Sequence, residues 1–121
     1  MKVFTAPNLE LCLPEAMQQL YWVTEVTVPQ LLLAAERSEG ELHEYFLKHA
    51  EEERGHAEWL KSDLENFGVT EFPTNPAIEA AVGRQYFILH HKNPSEYLGY
   101  VWSVESKHPT LEMVEALEKV W

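Results

Sequence analysis

A single cysteine, Cys12, stands in the whole chain. One thiol closes no internal disulfide and builds no thiolate metal cage, so a disulfide scaffold and a cysteine-ligated cluster are both excluded within one copy. Basic side chains are also scarce: Lys and Arg total 9 against 20 Asp and Glu, for a net charge of -11, and they form no cluster. That balance excludes a surface built to track nucleic-acid phosphates. Long apolar runs are missing. The greasiest stretch, Val28 to Ala35, contains Pro29 and Gln30 and is too short to span a bilayer, and no apolar segment follows the opening Met-Lys-Val-Phe-Thr-Ala-Pro. Neither a membrane span nor a secretion signal is expected, and with the lone thiol this points to a cytoplasmic protein. Strict apolar–polar alternation is absent too, which argues against strands.

What is present is an ordinary globular composition, 45% hydrophobic and 24% charged over 121 residues. One helical domain, residues 1–121, is expected, long enough to bury roughly two thirds of its unfolded surface. Turn signals at Pro7-Asn8, Ser38-Glu39-Gly40, Gly68 to Pro76, Asn93-Pro94-Ser95 and His108-Pro109-Thr110 divide the chain. Between them, apolar residues recur at helical spacing. The first helix is expected from Pro14 to Arg37 with a kink at Pro29, which lacks a backbone donor. The second is expected from Gly40 to Phe67, with Gly68 as its stop. A third covers Pro76 to His91 with Asn75 as cap. A fourth starts near Ser95 and ends before Pro109, and a last one runs from Thr110 to Trp121. Short connections make an all-α bundle of neighbouring helices.

The second helix carries the chemistry. Its apolar seam runs Leu42, Phe46, His49, Glu53, His56, Leu60, Leu64 and Phe67, in steps of three or four. At about 100° per residue, His49, Glu53 and His56 lie within roughly 60° of one another. A carboxylate placed in such a stripe needs a partner, because burying it alone costs several kcal/mol. A divalent metal flanked by imidazoles is one such partner, and Glu-x-x-His is the spacing helical bundles use for a metal pair. It is not the zinc-protease pattern, which pairs histidines around its Glu. A second Glu-x-x-His lies at Glu105 and His108. Glu105 continues the stripe of Leu98 and Val101, whereas His108 precedes Pro109 and so sits at a helix end.

Plainer readings stand beside these. Glu51 and Glu52 fit a solvated face. His49 also fits a core histidine bonded to a backbone carbonyl or a tyrosine. His90 and His91 end the third helix, where an imidazole interacts favourably with the helix dipole. Glu25, beside Tyr21 and Val28, is placed to share the cavity but has no evident pair. Trp22, Trp59, Trp102, Tyr86 and Phe87 are expected in the core rather than around a ligand.

The stretch from Tyr45 to Glu105 resembles the haem-oxygenase-like di-iron oxidase and oxygenase family, related in fold to thiaminase-II-like proteins. The resemblance is carried by His49-Ala-Glu-Glu-Glu-Arg-Gly-His-Ala-Glu-Trp-Leu60, Asp63-Leu64, Phe67-Gly68, Gly83-Arg-Gln-Tyr86, Pro94, Leu98-Gly99-Tyr100 and Glu105. It implies a haem-oxygenase-like helical bundle in which a non-haem iron pair activates dioxygen to oxidise a small organic substrate. It also implies that Glu53 and His56 match the first ligand helix and Glu105 the carboxylate of a later one, with His49 a further ligand or a donor behind them. Family members carry more ligands on another helix beyond the position of Glu105. Here Thr110 to Trp121 offers Glu112, Glu115 and Glu118 but no histidine. The expectation is therefore a fold incomplete at its C-terminal end.

Two functions follow. One is a dioxygen-activating, non-haem iron-dependent oxidoreductase, or its metal-binding portion; carboxylate and imidazole ligands also suit manganese, and zinc on chemistry alone. The other is a truncated, non-catalytic module that associates into a homodimer through uncovered apolar helix faces.

Overall fold

The computed structural model describes the backbone of residues 9–105 and the side chains of residues 17–104. Five helices follow one another: α1 (Leu9–Glu36), α2 (Gly40–Glu53), α3 (His56–Asn66), α4 (Pro76–His91) and α5 (Ser95–Glu105). No strand occurs among the described residues, so the all-α expectation holds. The helix expected from Thr110 to Trp121, and His108 before it, lie outside the described residues.

α1 starts at Leu9 rather than Pro14 and continues unbroken through Pro29. Pro29 cannot donate to the carbonyl of Glu25, but both residues are exposed, so water can satisfy that carbonyl. The C-terminal end of α1 is well closed. Arg37 N–H donates to Leu33 O, Ser38 N–H to Ala35 O and the Ser38 hydroxyl to Ala34 O. His43 Nδ1 adds a hydrogen bond to Ala35 O at 2.6 Å. These groups take up carbonyls that the helix end would otherwise leave orphaned.

The single helix expected from Gly40 to Phe67 is two. α2 ends at Glu53, Arg54 and Gly55 form a turn, and α3 begins at His56. Gly55 has φ +89°, a left-handed conformation that glycine adopts without the Cβ penalty of other residues. The far end of α3 follows expectation. Gly68, at φ +90°, lets its own N–H reach Glu65 O and the Val69 N–H reach Leu64 O. That pair of bonds is the glycine-based C-terminal closure of a helix. Asn75 caps α4 as expected, its Oδ1 accepting from Ile78 N–H at 3.0 Å, with Pro76 in the first turn where a missing donor costs nothing.

α1 is the spine. It packs against α2, α3 and α4, while α5 has its main helix contact with α4. The core joins Leu31, Ala34 and Ala35 of α1, Phe46 and Ala50 of α2, Ile88 and Leu89 of α4, and Tyr97 and Val101 of α5. One buried amide ties three of these helices together. Gln30 donates through Nε2 to Val82 O at 3.1 Å and accepts at Oε1 from the Tyr97 hydroxyl at 3.1 Å. The segment between α3 and α4 has no regular structure but lies pinned to α1. Gln18 Nε2 donates to Glu71 O and Trp22 Nε1 donates to Phe72 O at 2.6 Å. The Phe72 ring meets Tyr21 at 4.8 Å, and Lys61 Nζ lies over the same ring, 5.6 Å from its centroid.

Several aromatic residues expected in the core are outside it. Trp59, Trp102 and Phe87 are mostly exposed, and only Trp22 and Tyr86 are half-buried. Phe67, the last member of the expected seam, is also exposed: it caps the end of α3, whereas Leu64 one turn earlier is buried.

Candidate metal centre

α2 delivers His49 and Glu53 one helical turn apart, and His56, the first residue of α3, follows Glu53 at i+3. The Glu53 carboxylate sits between the two imidazoles. Its Oε1 is 3.4 Å from His49 Nε2 and its Oε2 is 2.9 Å from His56 Nδ1. An ionised carboxylate only accepts, so each ring nitrogen facing it carries its hydrogen, and the His56 ring lone pair then falls on Nε2. A carboxylate has about four lone-pair directions, so two imidazoles do not exhaust Glu53.

Burial grades the three residues. His49 is buried at 7% exposure, whereas the Glu53 and His56 side chains keep 26% and 39% of theirs. The expected burial of Glu53 is thus only partial, and water shares in satisfying it.

Aromatic rings flank both imidazoles. Tyr45 meets His49 edge-on at 5.7 Å, and Trp59 lies 5.3 Å from His56. A cavity of about 220 Å³, lined by Tyr45, Lys48, His49 and Glu52, opens on α2 beside the trio. In the core, the Tyr97 ring of α5 stands 6.0 Å from Phe46 of α2. Burial raises the Tyr97 phenol far above its ordinary value, with Tyr100, Tyr86 and the charge of Glu53 acting in the same direction. The phenol therefore stays protonated beside the Glu53 carboxylate.

The other sequence candidates fall elsewhere. Glu105 ends α5, following Tyr97 and Val101 in steps of four, and its side chain is not among those described. His90 and His91 are exposed at the end of α4, each lying over an aromatic ring, Tyr86 and Phe87 respectively. Glu25 is exposed and accepts a hydrogen bond from Tyr21, so it does not share the site. His43, Gln30 and Gln85 were not singled out by their sequence positions. Gln85 is buried at 7% exposure with its Oε1 lacking a protein partner. A polar residue at a helix position facing the core, as Gln85 is to Ile88 and Leu89, is the signal that marks such groups.

Two imidazoles and a carboxylate are the nitrogen and oxygen donors that iron accepts. Among the described residues, however, no three His, Cys, Asp or Glu side chains converge on one ion position. The donor types of the trio suit iron, but the three side chains form no closed site among the described residues. No helix among the described residues is long and apolar enough to cross a membrane.

No curated protein and no solved structure matches this chain. A family described as iron-containing redox enzyme matches residues 15–120, a span that holds α2 to α5 and every residue of the trio. With a helical architecture, a histidine–carboxylate–histidine cluster and a match across nearly its whole length, the chain belongs to the iron-containing redox enzyme family.

Proposed function

We propose that the chain forms the iron-binding portion of a dioxygen-activating oxidoreductase, with the iron held at Glu53 and His56 and with His49 and Glu105 as further members of the site. The observation that carries this reading is the Glu53 carboxylate held between His49 and His56 in a chain of the iron-containing redox family. When bound, iron would supply the electrons that reduce dioxygen while a small organic substrate is oxidised. A pair of irons fits the Glu-x-x-His spacing of Glu53 and His56, and manganese suits the same donors.

The chain's own residues have separate tasks. Glu53 brings negative charge that offsets a divalent cation. His49, the buried member, holds the other side of the carboxylate from within the core. Tyr45 and Trp59 place an aromatic ring beside each of the two imidazoles. The cavity beside His49 is large enough for a small molecule and offers Lys48 and Glu52 as charged contacts.

Ferrous iron added anaerobically, followed by metal analysis after desalting, tests the reading. The wild-type chain should retain iron, and Glu53→Ala and His56→Ala should each weaken retention by about tenfold or more. Retention that is negligible in the wild type, or unchanged in both variants, would overturn it.

A further inference from the structure

Two glycines stand where neither the backbone nor the packing of one copy asks for them. Gly83 and Gly99 lie inside α4 and α5 without the positive φ of Gly40, Gly55 and Gly68. A Cβ built at either position meets no atom within 4 Å. Glycine weakens a helix interior relative to alanine, so within one copy both only destabilise. Each is followed, one turn on, by a large ring turned to solvent. Phe87, 56% exposed, follows Gly83, and Trp102, 68% exposed, follows Gly99. A notch beside a ring suits the close crossing of another helix, because the side chains at a crossing set how near two axes come. Charge says what can come that near. The chain carries a net charge of -11, yet residues 76–104 are neutral, with Arg84 and Lys92 balancing Glu79 and Glu96. α1, α2 and α3 each hold an acidic excess. Before Glu105, the one charged side chain of α5 is Glu96, which pairs with Lys92 at 4.0 Å.

We propose that two copies of the chain associate about a twofold axis through the outward side of α5, crossing at Gly99 with each Trp102 laid against the other copy's helix. The surface holds both the ring and the notch, so it complements itself, as a twofold contact requires. Beyond about 8 Å, charges are largely screened at physiological ionic strength, so what opposes association is the charge local to the contact. Two copies of so acidic a chain therefore meet least repulsion at α5. Tryptophan is also the residue type that most often anchors an interface. α5 is 11 residues long, about 16 Å, so the contact falls in the small class, below about 1,200 Å² in total. Association in the micromolar range is the result. It needs no metal and stands apart from the iron reading.

Sedimentation equilibrium of the full chain with EDTA present tests this, from about 1 to 300 μM, the range that brackets a contact of this size. The wild type should pass from monomer to dimer. Its dissociation constant should change less than about threefold between low and high salt, since no net charge meets across the contact. Trp102→Ala should weaken association about tenfold. Gly99→Leu should weaken it as much by filling the notch, yet melt no lower than the wild type at about 1 μM, because leucine is the better helix former. A variant that folds as well and associates less is a result that misfolding cannot produce. A wild type that stays monomeric throughout overturns the proposal and leaves the face to the rest of its own chain or to a different partner. Dimerisation untouched by both variants places the contact elsewhere and overturns it. So does association that strengthens about tenfold or more with salt, because acidic faces would then be meeting. A lower melting temperature in Gly99→Leu would show that the notch is filled within one copy, which removes the argument for a crossing at Gly99.

Discussion

Replacing Gly55 by alanine isolates the cost of the break between α2 and α3. An added Cβ would meet nothing closer than 4.0 Å, at Glu58 Oε2 and Trp59 Cε2, so no clash contributes. What remains is backbone conformation. A residue with a Cβ at φ +89° costs about 1–2 kcal/mol. Alanine also restricts the unfolded chain, which returns about 0.4–1 kcal/mol. The net loss is about 1 kcal/mol, equivalent to a fall of roughly 4 °C in Tm for a domain of this size. Asparagine, which enters the left-handed region more readily, should cost less than alanine. Thermal unfolding followed by circular dichroism at the helical band measures both. A Gly55→Ala chain with higher Tm and greater helicity would refute the reasoning, because it would mean that residues 40–66 prefer one straight helix. The contact of Glu53 with His56 offers a second check. Spacing of i to i+3 survives in either geometry, so that hydrogen bond should persist even in a straightened variant.

Two further outcomes follow from particular groups. The Tyr97 phenol is raised by burial, so the unfolded chain releases this proton first as pH rises past the ordinary tyrosine range. Above about pH 10 the unfolded state then binds fewer protons than the folded one, and stability falls with increasing pH. Urea titrations from pH 8 to 11 should show that fall, reduced in Tyr97→Phe; an unreduced fall would assign it to other groups. Asn75→Ala removes the acceptor for Ile78 N–H and should destabilise by about 1 kcal/mol, measured as the urea midpoint at unchanged slope.

Local signals made most of this fold legible. Asn75-Pro76 marks a helix start, and Gly68 marks a helix end, because both act through the backbone of their immediate neighbours. The meeting of His49, Glu53 and His56 was equally legible, since it depends on spacing along one short stretch. The break at Gly55 was not, because an isolated glycine inside a helical pattern is usually tolerated. A helical interior tolerates one glycine for about 1 kcal/mol, so the residue alone decides little. Gln30 and Tyr97 were illegible for another reason. Their pairing joins residues 67 apart, and no pattern within either helix announces it.

That separation also orders events in folding. The His43 bond to Ala35 closes a loop of 8 residues, whereas the Tyr97 bond to Gln30 closes one of 67. Each doubling of loop length costs about 0.6 kcal/mol in chain entropy, so the longer closure from the open chain costs about 1.8 kcal/mol more. The difference shrinks once α1 has collected α2, α3 and α4, because those contacts have already shortened the effective loop. The α1–α2 hairpin is thus suited to nucleate the domain, and the Gln30 amide to complete it, accepting α5 only after the earlier helices have found their register.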